Sequence, residues 1–253
     1  MRRSFTLILL SVIFTLSAYE YSMLNLSAPS GLKKGEAEFM IRHRFYGDIA
    51  DEPLNNFFGM DAGANINLSC RYQLFRNAEV NIAYSRRKSE KVIGVSYLLE
   101  LEDFPIYGQI NLDYFSFEEK ILEESTRRNF LYLLSLQNEE FLDNFVLTLN
   151  TGFDGYYERF LLGLGLKIGI VDNIGLIGEY YPVLDRNSAS AKLGKYIGEE
   201  DAFAFGIKLD TYGHHFIFML SNTDDIGLRG VSLGTIKDSH LRFGFNIQRK
   251  FVW

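Results

Sequence analysis

Residues 240–253 alternate between two kinds of side chain. Leu241, Phe243, Phe245, Ile247, Arg249, Phe251 and Trp253 fall in one register, and Arg242, Gly244, Asn246, Gln248, Lys250 and Val252 fall in the other. A β-strand turns successive side chains to opposite faces, so this segment is greasy on one face and wet on the other. A bilayer admits strands only in a closed sheet, with an apolar face to lipid and a polar face to the lumen. The segment therefore points to a transmembrane β-barrel.

Composition separates this reading from its rivals. The chain holds 22 Phe, 15 Tyr and 22 Gly but only 4 Pro, and its mean hydropathy is −0.03. Beyond the first residues it has no long apolar run, which a helical membrane protein would need and a barrel avoids by interleaving. A lipocalin-like barrel or an exported sandwich would leave the Phe, Leu, Ile and Tyr of the outward registers in water, where apolar patches are normally limited in area.

The amino end predicts export. Arg2 and Arg3 precede an apolar stretch over residues 5–16, interrupted by Thr6, Ser11 and Thr15, and then come the small residues Ser17 and Ala18. This pattern predicts a signal peptide over 1–18, cut near Ala18, because its apolar run is too short to span a bilayer. Residues 19–35 are then expected as a periplasmic amino-terminal segment and 36–253 as the barrel. Removing Arg2 and Arg3 takes the formal charge from −6 to −8. That acidity argues against nucleic acid as a partner. The single cysteine, Cys70, excludes an intramolecular disulfide and reads as a small filler on an outward face. The aromatic ending at Phe251 and Trp253 resembles the terminal strand by which the barrel assembly machinery recognises outer-membrane barrels.

Turn signals divide the rest into twelve segments: 36–46, 62–74, 78–87, 91–101, 105–117, 128–138, 144–153, 158–170, 173–183, 202–211, 213–222 and 240–253. The connections alternate in length. Long loops at 47–61, 184–201 and 223–239 oppose tight turns at Arg76-Asn77, Asp172-Asn173 and Tyr212-Gly213. An all-β, closed antiparallel barrel of about 12 strands follows, with short periplasmic turns and long extracellular loops. Counts of 10 or 14 are compatible with the same signals.

The registers sort the side chains. In segment 62–74, Ala64, Ile66, Leu68, Cys70 and Tyr72 point outward, and Asn65, Asn67, Ser69, Arg71 and Gln73 point inward. The inward set elsewhere is mixed: Leu98, Leu131, Leu133, Val146, Ile177, Ile217 and Met219 fall there beside charges of both signs. Arg42, Arg44, Arg71 and Arg242 come from the first, second and twelfth segments, which closure makes neighbours, and Asp113 and Glu179 lie on more distant walls. Such a basic wall faced by carboxylates suits the transverse field of a selective channel. It suits equally a salt-bridge network that plugs the lumen, and pairing of buried charges favours the plug.

Several stretches carry a resemblance. Leu32-Lys33-Lys34-Gly35-Glu36 leading into Glu38-Phe39 and His43-Arg44-Phe45, then Asp61-Ala62-Gly63-Ala64-Asn65, Thr211-Tyr212-Gly213-His214 and Phe243-Gly244-Phe245-Asn246-Ile247 resemble an uncharacterised family of exported β-barrel proteins, a domain of unknown function. The resemblance covers the chain from about residue 25 to the end. It implies an outer-membrane barrel and brings no activity, catalytic residue or ligand with it.

No catalytic, cofactor or metal site is expected. Among His43, His214, His215 and His240, only His240 lies with Asp238 and Ser239 near the outer rim where lipid chemistry would occur. Adjacent residues on a strand point to opposite faces, so Ser239 and His240 make a poor nucleophile and base pair. The carboxylates Asp48, Asp51, Glu52, Asp61, Glu199, Glu200, Asp201, Asp224 and Asp225 lack calcium-loop spacing and read as solvated loops. The glycines at 163, 165 and 169 lack the strand-to-helix context of a phosphate loop and read as relief of crowding inside a curved sheet. The leading expectation is a narrow channel or small-solute transporter of a Gram-negative outer membrane, surrounded by lipid and lipopolysaccharide. A non-conducting, partner-binding barrel comes second and a lipid-modifying enzyme third.

Overall fold

A computed structural model of the chain describes residues 23–29, 31–100, 105–119, 125–138, 144–184, 186, 197–211, 213–236 and 240–252. Twelve strands run β1 (Ala37–Phe45), β2 (Ala64–Gln73), β3 (Ala78–Ser85), β4 (Glu90–Glu100), β5 (Ile106–Glu119) and β6 (Ser125–Asn138), then β7 (Phe145–Asp154), β8 (Arg159–Val171), β9 (Ile174–Tyr181), β10 (Ala202–Thr211), β11 (His214–Ser221) and β12 (Arg242–Phe251). Each pairs antiparallel with its sequence neighbours, and β1 closes on β12 to complete the barrel. Closure leaves no sheet edge in lipid.

The alternation in the sequence becomes the two faces of the wall. Outward residues stay open although they are apolar: Phe160 is 61% exposed, Ile93 60% and Ile82 57%. A soluble protein does not leave such a belt in water, whereas hydrocarbon accepts it. Inward, Asn65, Asn67, Gln109, Asn111, Ser135, Gln137, Thr148, Asn150, Asn246 and Gln248 are buried. The turns also match the expected alternation. Gly213 takes φ of +76° in the tight turn between β10 and β11, a left-handed position that glycine occupies without steric penalty.

Two connections depart from expectation. Residues 23–29, expected outside the barrel in the periplasm, lie inside it: Leu24, Leu26 and Ala28 are buried, as is Met23. Only near Gly35, whose N–H donates to the Gln73 carbonyl at 2.8 Å, does the segment reach the turn rim. The physical reason is in its composition. Met23, Leu24 and Leu26 need an apolar surface, and inward Leu161, Ile177, Ile217 and Met219 supply one. At the opposite mouth, part of the loop between β11 and β12 folds inward as a short helix, α1 (Leu228–Val231), and joins the same core. The inward Leu131, Leu133, Ile177, Ile217 and Met219 thus pack in one buried apolar core with residues 23–28 and α1.

Candidate functional site

The candidate site is the occupied lumen. From β9, Glu179 reaches across with both carboxylate oxygens: Oε1 accepts the N–H of Leu24 at 2.7 Å and of Leu26 at 3.3 Å, and Oε2 accepts that of Asn25 at 2.8 Å. The Tyr181 hydroxyl donates to the same carboxylate. From β1 on the other side, Arg44 Nη2 donates to the Leu24 carbonyl at 3.2 Å and to Asn25 Oδ1 at 3.1 Å. Asn246 on β12 adds a bond from Nδ2 to the Leu24 carbonyl at 2.9 Å. Asn150 on β7 completes the grip, accepting the Ser27 N–H and donating to its carbonyl, each at 2.7 Å. A short irregular segment has no ladder of its own, and these wall groups satisfy its polar atoms where water is excluded.

Room for the segment comes from β8. A Cβ at Gly163 would meet Leu26 at 2.4 Å, and one at Gly165 would meet Met23 at 2.2 Å. The glycine spacing that reads in sequence as relief of crowding is relief of crowding by a particular occupant.

The six candidate lumen charges have separate fates. Arg44 on β1 and Glu179 on β9, four strands apart around the barrel, both hold residues 24 and 25 between them. Arg71 binds Glu38, with Nη2 2.7 Å and Nε 3.0 Å from Oε1. Arg42 donates to Asn67 Oδ1 at 3.2 Å, and Asp113 accepts from Asn81 Nδ2 at 3.0 Å. Arg242 does not join the basic wall. It stands at the loop rim, where its guanidinium donates to the carbonyls of Tyr46, Asn222 and His240 at 3.0 to 3.2 Å and ties loop ends together. Its inward register is correct, but its position at the first residue of β12 lifts it out of the lumen.

Sequence reasoning missed Arg229. Its guanidinium lies 3.3 Å from Asp154 and 3.5 Å from Glu90, and stacks 4.0 Å from the Phe115 ring centre and 4.4 Å from that of Phe117. This pins α1 over the mouth. Asp224 and Asp225, expected as solvated carboxylates, pair with Arg87 at 2.6 and 3.3 Å. The coulombic pull of Asp225 and Asp224 raises the Arg87 pKa. Beside the filled part, between residues 23–28, α1 and the wall of β12 and β1 to β6, a cavity of about 190 Å³ remains.

At the loop rim, His240 Nδ1 lies 2.9 Å from Asp48 Oδ2 with its ring 68% exposed, and Ser239 lies outside the described residues. Of the two terminal aromatics, Phe251 is paired opposite Ala37 at the turn rim and Trp253 lies outside the described residues.

The sequence matches the family described as a membrane-bound β-barrel domain (DUF5777) over residues 20–100 and 136–251. No curated protein matches it. Among solved structures it is similar to the KdgM porin, with 7% identity and a TM-score of 0.48 over 86% of this chain and 99% of that one. The NanC porin gives 9% identity and 0.47 over 85% and 100%. Outer membrane phospholipase A from Escherichia coli gives 9% and 0.46 over 84% and 89%. No activity follows from these likenesses.

Proposed function

The chain belongs to the family of membrane-bound β-barrel domains, and on that footing we propose that it is a narrow channel of the outer membrane for small polar solutes, closed at rest by its own residues 23–29. The observation that carries this reading is that a chain segment, held by polar wall groups, fills part of the lumen beside the wall's own side chains. Part of the wall behind that segment is polar, with Asn150, Asn246, Arg44 and Glu179 bonded to it, and these groups would line a hydrated passage once it withdrew. Glycines at 163 and 165 keep the same space open. A barrel built only to be solid would fill it from the wall, as narrow barrels can.

A second reading is favoured by the apolar contacts of Met23, Leu24 and Leu26 with Leu161, Ile177 and Ile217. Burying such side chains stabilises by roughly 1.5–3 kcal/mol each, which suits a permanently closed structural barrel. Planar-bilayer recording separates the two. With Met23, Leu24 and Leu26 all changed to Ser, the channel reading expects long-lived conductance steps that are rare in the parent. A correctly folded variant as silent as the parent would leave the structural reading standing.

A further inference from the structure

The charges that line the 190 Å³ cavity, Arg42, Arg71 and Arg229 with Glu38, Glu90 and Asp113, sum to zero but do not all pair with one another. Arg71 is matched by Glu38, and Arg229 by Asp154 and Glu90. Arg42 and Asp113 remain, neither in an ion pair within 4 Å among the described residues, with Glu38 and Glu179 acting on Arg42 only from farther away. Arg42 makes a single hydrogen bond, to the neutral Asn67, and its Nε is buried with no acceptor. Asp113 takes a single bond, from the neutral Asn81.

A guanidinium carries five donors in a planar fork, and in a confined space unmatched donors are unfavourable. The group whose shape and charge match that fork is a carboxylate, held by two parallel bonds. The nearest internal candidate is already engaged: Glu38 is bound by Arg71 and by the Gln248 amide. Ser69, Ser85 and Asn67 also line the cavity and offer neutral partners around such a ligand. The space is large enough for several waters or a small organic molecule.

We propose that this cavity is a binding site for a small organic carboxylate, its carboxylate held by Arg42 and a hydroxyl or ammonium donor at its other end held by Asp113. As a transit site for solute, the proposal rests on the channel reading; as a binding site, it is tested at equilibrium. The probes share one skeleton: 4-hydroxybutyrate, 4-aminobutyrate and butane-1,4-diol, titrated calorimetrically into the detergent-folded full-length barrel. Both carboxylates are expected to bind at least about tenfold more tightly than the diol. Arg42→Gln should remove that advantage and leave diol binding unchanged, while Asp113→Asn should weaken 4-aminobutyrate more than 4-hydroxybutyrate.

Equal binding of the three probes, no binding of any, or carboxylate binding indifferent to Arg42→Gln would overturn the site. Heat-modifiable gel mobility reports whether each variant folds. Should Arg42→Gln fail to fold, Arg42→Lys keeps the charge and loses the fork, and carboxylate binding as tight as in the parent would count against the proposal. Bilayer recording of the variant with Met23, Leu24 and Leu26 changed to Ser separates the two ideas: binding to the parent with no conductance in that variant removes the channel, and conductance in that variant without binding to the parent removes only this site.

Discussion

Glu179 is the side chain on which the closed lumen turns. One buried carboxylate accepts three successive backbone N–H groups, and such charge-assisted bonds are roughly twice as strong as neutral ones. Glu179→Gln keeps the shape and removes the charge, leaving an amide with a single acceptor oxygen. The expected loss of about 1.4 kcal/mol corresponds to about tenfold faster hydrogen exchange at the amides of Leu24, Asn25 and Leu26. Exchange as slow as in the parent would show that the apolar contacts alone hold the segment. The inward direction of Glu179, and equally of Arg44, is legible in the alternation of their strands. Their partner is not, because a backbone N–H belongs to every residue and leaves no pattern in the sequence. The one visible sign is the apolar Met23-Leu24 and Leu26 around Asn25, which have nothing to bury against outside the barrel.

The strands were the legible elements. Period two, turn residues and alternating connection lengths locate all twelve to within a few residues, since each signal is local. The element α1 lacks such a signal: four residues are too few for helical periodicity, and nothing in a segment rich in Asp and Gly marks Arg229 as buried. The connection between β9 and β10 shows how a loop end is held without regular structure. Burial by itself would raise the pKa of Asp201, but the Tyr180 hydroxyl, the Val183 N–H at 2.9 Å and the Arg186 cation outweigh burial and hold it below the usual carboxylate range. A depressed folded-state pKa gives a contribution to stability that is complete above the unfolded value, near 3.9, and is lost as pH falls through the lower folded one. Protection of the Val183 amide should therefore be unchanged between about pH 7 and 5 and should fall only below about pH 4. In Asp201→Asn it should already be low at neutral pH, and loss of protection in the parent near pH 6 would contradict this anchor.

In the whole molecule, residues 23–29 and α1 form one obstruction rather than two. Leu26 and Leu228 converge on the same point of the wall, both within 3 Å of where a Cβ at Gly163 would stand, and Met23, Leu24, Leu26, Leu228 and Val231 share one apolar core. Withdrawal of either piece exposes apolar surface of the other, so their stabilities are coupled, and residues that share a core do not respond additively to substitution. Two variants act at opposite ends of this unit. Glu179→Gln loosens residues 23–29 from the wall, and Arg229→Met removes the cation that holds α1 against Asp154, Phe115 and Phe117. If the two pieces move together, Glu179→Gln speeds hydrogen exchange at the Val231 and Ser232 amides, bonded within α1 to the Gly227 and Leu228 carbonyls, by the same factor of about ten as at Leu24, Asn25 and Leu26, and Arg229→Met speeds exchange in both pieces likewise. Two independent pieces give a different pattern: each variant speeds exchange only in the piece it loosens. Amide exchange in the parent and the two single variants, measured at one pH and temperature, decides between one obstruction and two.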